Sequence, residues 1–219
     1  MNLIRRPFRF RYYNLTLFLI GINILVFIAQ QMFSSPYPSQ DLTTKLGLSV
    51  WGIFNGYVWQ FVTYMFSHGG FSHILFNMLA LFIFGTALER HMGSWEFLCY
   101  YLTTGILAGV FSFFVYWVTG QNVLLIGASG AIFAIQLAYA TFFPNQVLLI
   151  WGIIPVRASV LVLIFTGVEV FSIILDKTGV SRGGGNVAHL THLAGFAFGW
   201  IYFLVRFGFN PWNSLFRRR

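Results

Sequence analysis

The residues of this sequence that could do chemistry are a few polar side chains set inside long apolar runs. Ser129 stands in Gly127-Ala128-Ser129-Gly130. His189 and His192 open another run, followed by Gly195 and Gly199. His73 and Asn77 are four apart, which places them on one helical face, and His68 lies just before them. A serine hydroxyl is a weak nucleophile until a base takes its proton, and His192 is the right type of base. A helix beginning at Ser129 would leave free backbone N–H groups beside it. Those groups, with His73 and Asn77 as side-chain donors, could hold a developing oxyanion.

Each feature also has a plainer reading. A serine among small residues is ordinarily a packing residue, and a lone His or Asn ordinarily makes an interhelical hydrogen bond. His189 and His192 could join His68 and His73 as four metal nitrogens. No carboxylate or cysteine is expected to join them, so neither a metal nor an organic cofactor is expected. Glu169 reads as bonded within the bundle, and Arg217 to Arg219 as a topology anchor. The coincidence of serine, histidines and asparagine at one depth favours the enzyme reading.

That depth depends on the elements carrying these residues. The 219 residues are 58% hydrophobic and 8% charged, with a net charge of +8. Soluble domains carry about 25% charged residues, so this composition points to an all-α integral membrane protein. The basic residues do not gather on one polar face, which disfavours nucleic acid as a partner. A spanning helix needs roughly 20 mostly apolar residues. Six segments fit or nearly fit: Tyr13–Phe33, Phe71–Leu88, Trp95–Val118, Ala128–Phe143, Arg157–Leu175 and Ala188–Phe207. The membrane domain is expected over 13–207, between basic tails at 1–12 and 208–219. The long first loop, Ser34 to Gly70, carries Trp51, Phe54, Tyr57 and Trp59, rings suited to the membrane interface. Val147 to Ile154 is too short to span and is expected at the interface or against the bundle. Ser181 to Asn186 reads as a flexible link. The lone Cys99 has no partner within the chain.

Lys/Arg placement sets orientation. Ten of the thirteen fall on the side of the two termini and three on the other, so both termini are expected in the cytoplasm. Ser129, His192, His73 and Asn77 then all fall within two turns of the outer end of their helices. The fourth span is short, which would place Ser129 in a recess open to water. Extension of this helix through Val123–Ile126 is the alternative.

These residues resemble the rhomboid family of intramembrane serine proteases. The resemblance rests on His73-Ile74-Leu75-Phe76-Asn77, Gly127 to Gly130, His192 with Gly195 and Gly199, and Ala87-Leu88-Glu89-Arg90. It implies a six-transmembrane-helix bundle with a long interfacial first loop and a Ser–His dyad without a third acidic member. Ser129 would be the nucleophile and His192 the base. His73, Asn77 and the Ser129 backbone N–H would form the oxyanion hole. Substrates would be single-span membrane proteins in the lipid bilayer, cut near the outer face, and the location would be a bacterial inner membrane. Two positions depart from the family pattern: Trp59-Gln60 where many relatives have Trp-Arg, and Phe133 where some have a tyrosine stacked on the histidine. A catalytically silent relative that binds membrane helices, and a histidine-lined permease, are the competing classes.

Overall fold

The computed structural model describes residue 5 and residues 8–38, 40–150, 152–177 and 186–215. The expected link Ser181–Gly185 and the anchor Arg217–Arg219 lie outside them. The first span is α1 (Leu15–Met32). The first loop follows as three short helices, α2 (Leu42–Leu46), α3 (Val50–Phe54) and α4 (Gln60–Thr63), and a 3₁₀ turn at Tyr64–Phe66. The second span is α5 (Phe71–Ala80) and α6 (Thr86–Met92), joined through a π-helical turn at Leu81–Gly85. Next come α7 (Ser94–Thr119), α8 (Ser129–Phe142), strands β1 (Val147–Ile150) and β2 (Ile154–Arg157), and α9 (Ala158–Lys177). The last span, α10 (Asn186–Tyr202), runs on through a π turn at Phe203–Phe207, before α11 (Pro211–Leu215). Five of the spans are long and apolar enough to cross a membrane. The sixth, α8, has 14 residues, or about 21 Å at 1.5 Å per residue.

The short helix is the centre of the bundle. Ala131, Ala134, Ala138 and Ala140 on α8 are buried, and α7, α9 and α10 pack around it. Lipid tails supply no hydrophobic drive between helices, so small side chains that let backbones approach are what hold them together. Gly195 and Gly130 make the closest approach, where a Cβ on Gly195 would overlap the Gly130 carbonyl oxygen. One helical turn on, Gly199 faces Ala134, and the Tyr100 hydroxyl donates to the Ala134 carbonyl at 2.7 Å.

Two short segments take definite form. Val123–Ile126 does not extend α8. Leu125 instead pairs with Leu48 of the first loop through two backbone hydrogen bonds of 2.8 Å, so the helix can begin only at Ser129. The run from Val147 is an antiparallel hairpin, with Leu148 and Ile150 packed on the core. Its alternation of half-buried and exposed residues is that of a strand.

The first loop is anchored inward as well as toward the interface. Tyr64 and Met65 fill the notch that Gly109 and Gly105 leave on α7, and the Tyr64 hydroxyl donates to the Gly105 carbonyl at 2.6 Å. Gln60, in place of the family's arginine, is buried. Its amide oxygen accepts from the Ser49 N–H at 3.1 Å, and its amide nitrogen donates to the Thr44 carbonyl at 3.1 Å. The loop therefore keeps a polar anchor without a charge.

Buried carboxylates tie the spans together at the other end of the bundle. Glu89, fully buried, accepts from the Leu15 N–H at 2.7 Å, the Thr16 N–H at 2.9 Å and the Thr16 hydroxyl at 2.7 Å, and also from the Ser94 hydroxyl. It thereby caps α1 and ties it to α7. Glu96 pairs with Arg206 at 2.7 Å and accepts from the Tyr202 hydroxyl at 2.6 Å. Removing the Glu89 carboxylate leaves buried donors unsatisfied. Glu89→Ala should cost about 3 kcal/mol and lower the apparent melting temperature by roughly 6–12 °C, measured by thermal unfolding in detergent.

Candidate active site

Four elements converge at the N-terminal end of α8. Ser129 is the first residue of α8 and half-buried. The preceding Gly127 has φ +116°, a backbone region that favours glycine. Its N–H donates to the Tyr64 carbonyl at 2.9 Å. This fixes the turn into the helix against the first loop.

From α10, His192 approaches Ser129, with Nε2 2.7 Å from Oγ. The face of the imidazole lies on Phe133, with ring centroids 4.5 Å apart and planes 6° from parallel. Phe133 is one turn after Ser129 on α8, so one helix carries both the hydroxyl and the plate that orients its partner. The other ring nitrogen, Nδ1, is 3.0 Å from Glu169 Oε1. The second carboxylate oxygen bonds Nδ1 of His189. Ser129, His192, Glu169 and His189 thus form one hydrogen-bonded chain across α8, α10 and α9.

From α5 come His73 and Asn77. His73 Nδ1 accepts from the Gly69 N–H at 3.4 Å, which leaves the proton on Nε2. That nitrogen borders Gly127: a Cβ placed there would lie 2.7 Å from His73 Nε2 and 3.7 Å from Ser129 Oγ. Asn77 is buried, and its amide nitrogen has no hydrogen-bond partner. His68 packs edge-on against His73 with centroids 5.1 Å apart. It is buried, and neither of its ring nitrogens is partnered.

The structure brings Ser129, His192, His73, Gly127, Gly130 and Gly195 together, and Asn77 follows His73 by one turn on α5. It does not gather the four histidines as one ligand set. Among the described residues, the potential ligand atoms that do cluster, within 4.8 Å, belong to Glu169, His189 and His192. The expectation that no carboxylate joins the histidines is therefore corrected. Both carboxylate oxygens are already engaged by imidazoles, which satisfies the cluster as it stands. A carboxylate at the centre of a spanning helix costs about 2.5–3.5 kcal/mol, and these two bonds offset that. Glu169 is the twelfth residue of α9, but apolar periodicity did not reveal that its side chain faces α10. The available signal was a lone carboxylate at mid-span depth opposite a His-x-x-His pair.

Apart from this layer, Phe76, Leu79 and Ile83 of the second span and Leu161 and Phe165 of α9 line a cleft of about 460 Å³. Gln136 of α8 forms its back, and Leu148–Ile150 of the hairpin its remaining wall. Its α5 wall begins one residue from Asn77.

The Rhomboid domain matches residues 55–209, most of the chain. The chain belongs to the rhomboid family. It is 31% identical over 144 residues to the putative rhomboid protease YdcA of Bacillus subtilis, covering 63% of this chain and 68% of the relative. To the rhomboid protease AarA of Providencia stuartii it is 33% identical over 149 residues, covering 61% of this chain and 52% of the relative. The rhomboid protein 1 of Saccharomyces cerevisiae mitochondria shares 27% over 199 residues, 86% of this chain and 52% of the relative. The chain thus spans about half the length of the latter two. Family membership and five apolar spans make this rhomboid a multi-pass membrane protein. The first two of these relatives are named as proteases.

His68, in the loop before the second span, generates a pH prediction. Burial pushes its imidazole from about 6.5 down to about 4, with His73 adding to the effect. The unfolded chain takes up this proton near pH 6.5 and the folded protein only near pH 4. Stability is therefore lost as pH falls through that window and levels off below it. Unfolding midpoints of wild type against His68→Phe between pH 7 and about 4 should converge, with the variant's profile the flatter of the two.

Proposed function

We propose that this chain is an intramembrane serine endopeptidase that cuts single-span membrane proteins near the outer membrane face. The observation that carries this reading is the 2.7 Å bond between Ser129 Oγ and His192 Nε2 at the recessed start of a helix too short to span. Ser129 attacks the scissile carbonyl carbon while its proton passes to His192 Nε2. The oxyanion that forms meets the Ser129 backbone N–H, His73 Nε2–H and the Asn77 amide. His192 returns the proton to the leaving amine, and water then hydrolyses the acyl-serine by the same route in reverse.

An Asn77 amide nitrogen buried without a partner supports the oxyanion role. The apolar cleft between the second span and α9 is suited to a substrate helix, and its edge at Phe76 would bring an unwound end toward Ser129. No metal or organic cofactor is needed for these steps.

Purified protein should cleave a single-span substrate near its outer end and should be labelled at Ser129 by a fluorophosphonate. Ser129→Ala and His192→Ala should abolish cleavage, and Asn77→Ala should lower kcat by about 10²–10³ with little change in KM. Cleavage by Ser129→Ala would sink the serine mechanism, and a wild type that is neither cleaving nor labelled would favour a silent relative.

The same reading places both termini in the cytoplasm of a bacterium, with α8 opening outward from the inner membrane. A reporter after Arg219 should be cytoplasmic and a tag within 34–41 should be accessible from outside. The opposite pattern would put the recess on the wrong face.

A further inference from the structure

The resemblance implies a two-residue centre, yet Glu169 of α9 contacts His192 at the nitrogen that Ser129 does not use. We propose that Glu169 is a third, positioning member of the site: its carboxylate fixes the tautomer and orientation of His192, making the centre a Ser–His–Glu relay. This deepens the proteolytic reading above and rests on it.

The argument begins with hydrogen-bonding capacity. A carboxylate accepts and does not donate. The 3.0 Å contact to Glu169 Oε1 therefore requires the proton of His192 on Nδ1. Nε2 is then an acceptor, and it faces Ser129 Oγ at 2.7 Å. In the opposite tautomer Nε2 would carry the proton and could not take one from serine. Glu169 thus selects the one neutral form of His192 that works as a base.

Orientation follows from the surroundings of the ring. Phe133 covers one face in a near-parallel stack, which limits tilting but leaves the ring free to rotate in its own plane. Two in-plane bonds, one on each nitrogen, remove that rotation. His189 holds the second oxygen of the carboxylate and keeps Glu169 from turning away. His189 therefore supports Glu169 and does not itself reach Ser129.

Charge gives the third role. When the Ser129 proton moves to Nε2, His192 becomes a cation in a place only 15% exposed. The carboxylate offsets that charge while keeping its acceptor role, and the proton stays on Nδ1. The proton on Nε2 then leaves with the amine, so Glu169 is unchanged through the cycle. The other titratable groups beside His192 are His189 on α10 and His73 on α5.

The test is steady-state cleavage of a single-span substrate by wild type, Glu169→Gln, Glu169→Asp and His189→Ala. Glu169→Gln should lower kcat by about 10²–10⁴ while leaving KM within a few-fold. Loss of the anion makes the imidazolium easier to deprotonate, so the acid limb of the kcat/KM profile should move to lower pH. Glu169→Asp should recover part of kcat, and His189→Ala should retain a measurable fraction. Should Glu169→Gln fail to fold, histidine-selective ¹⁵N spectra of wild type supply the check. The His192 signal, identified by its loss in His192→Ala, should carry a strongly downfield Nδ1–H proton. Wild-type kcat and an unmoved acid limb in Glu169→Gln, or an Nε2–H tautomer of His192, would overturn the relay while active-site labelling and cleavage by wild type left the protease reading intact. A wild type that neither labels at Ser129 nor cleaves would instead overturn both.

Discussion

The structure depends on one backbone-to-backbone approach between α10 and α8. Gly195 leaves no room for a Cβ against the Gly130 carbonyl. Gly130 follows Ser129 directly, and Gly195 lies three residues after His192. The contact that holds the bundle together therefore also sets the separation of the hydroxyl and the imidazole. In a lipid environment this coupling is economical, because dispersion between close backbones drives helix association there. Any side chain at the crossing would move the site as well as loosen the packing.

The first turn of α8 is supported from outside the helix. The first loop supplies that support. It pairs Leu48 with Leu125 just before the helix, accepts from Gly127 through the Tyr64 carbonyl, and seats Tyr64 and Met65 on the Gly105/Gly109 notch of α7. Gln60 holds the loop's short helices to one another from inside. Some of the loop's aromatic rings pack on the third span, as Phe54 and Phe61 do against Phe113.

Much of this was legible in the sequence, because composition and helical rise are enough to place residues by depth. Counting from the outer ends of the spans put Ser129, His192, His73 and Asn77 in one layer, and the shortness of the fourth span was visible in the same count. Azimuth was less legible. An apolar helix in lipid is hydrophobic on every side, so α9 carries no stripe to show which way Glu169 points. The bond between His189 and Glu169 depends on that same hidden rotation. The Leu48–Leu125 pairing and the 147–157 hairpin were missed for another reason. Both are short strand contacts between segments that read as loops, and their pairing depends on what the bundle brings together.

Among the described residues, buried polar atoms without partners occur at Asn23, His68, Asn77 and Tyr101. Glu89 and Glu96 have several donors each, and they hold spans together. Near Ser129, Asn77 keeps an amide nitrogen without a partner, at a depth where an unpaired polar group is expensive. A resting protein gains nothing from such a donor. On the proteolytic reading the missing acceptor arrives with the substrate, as the oxygen that becomes negative when Ser129 attacks. A donor already desolvated and already aimed loses little in reorganising at that moment. The unpaired Asn77 amide is then the cost, carried in the resting fold, of stabilising a charge that exists only during the reaction.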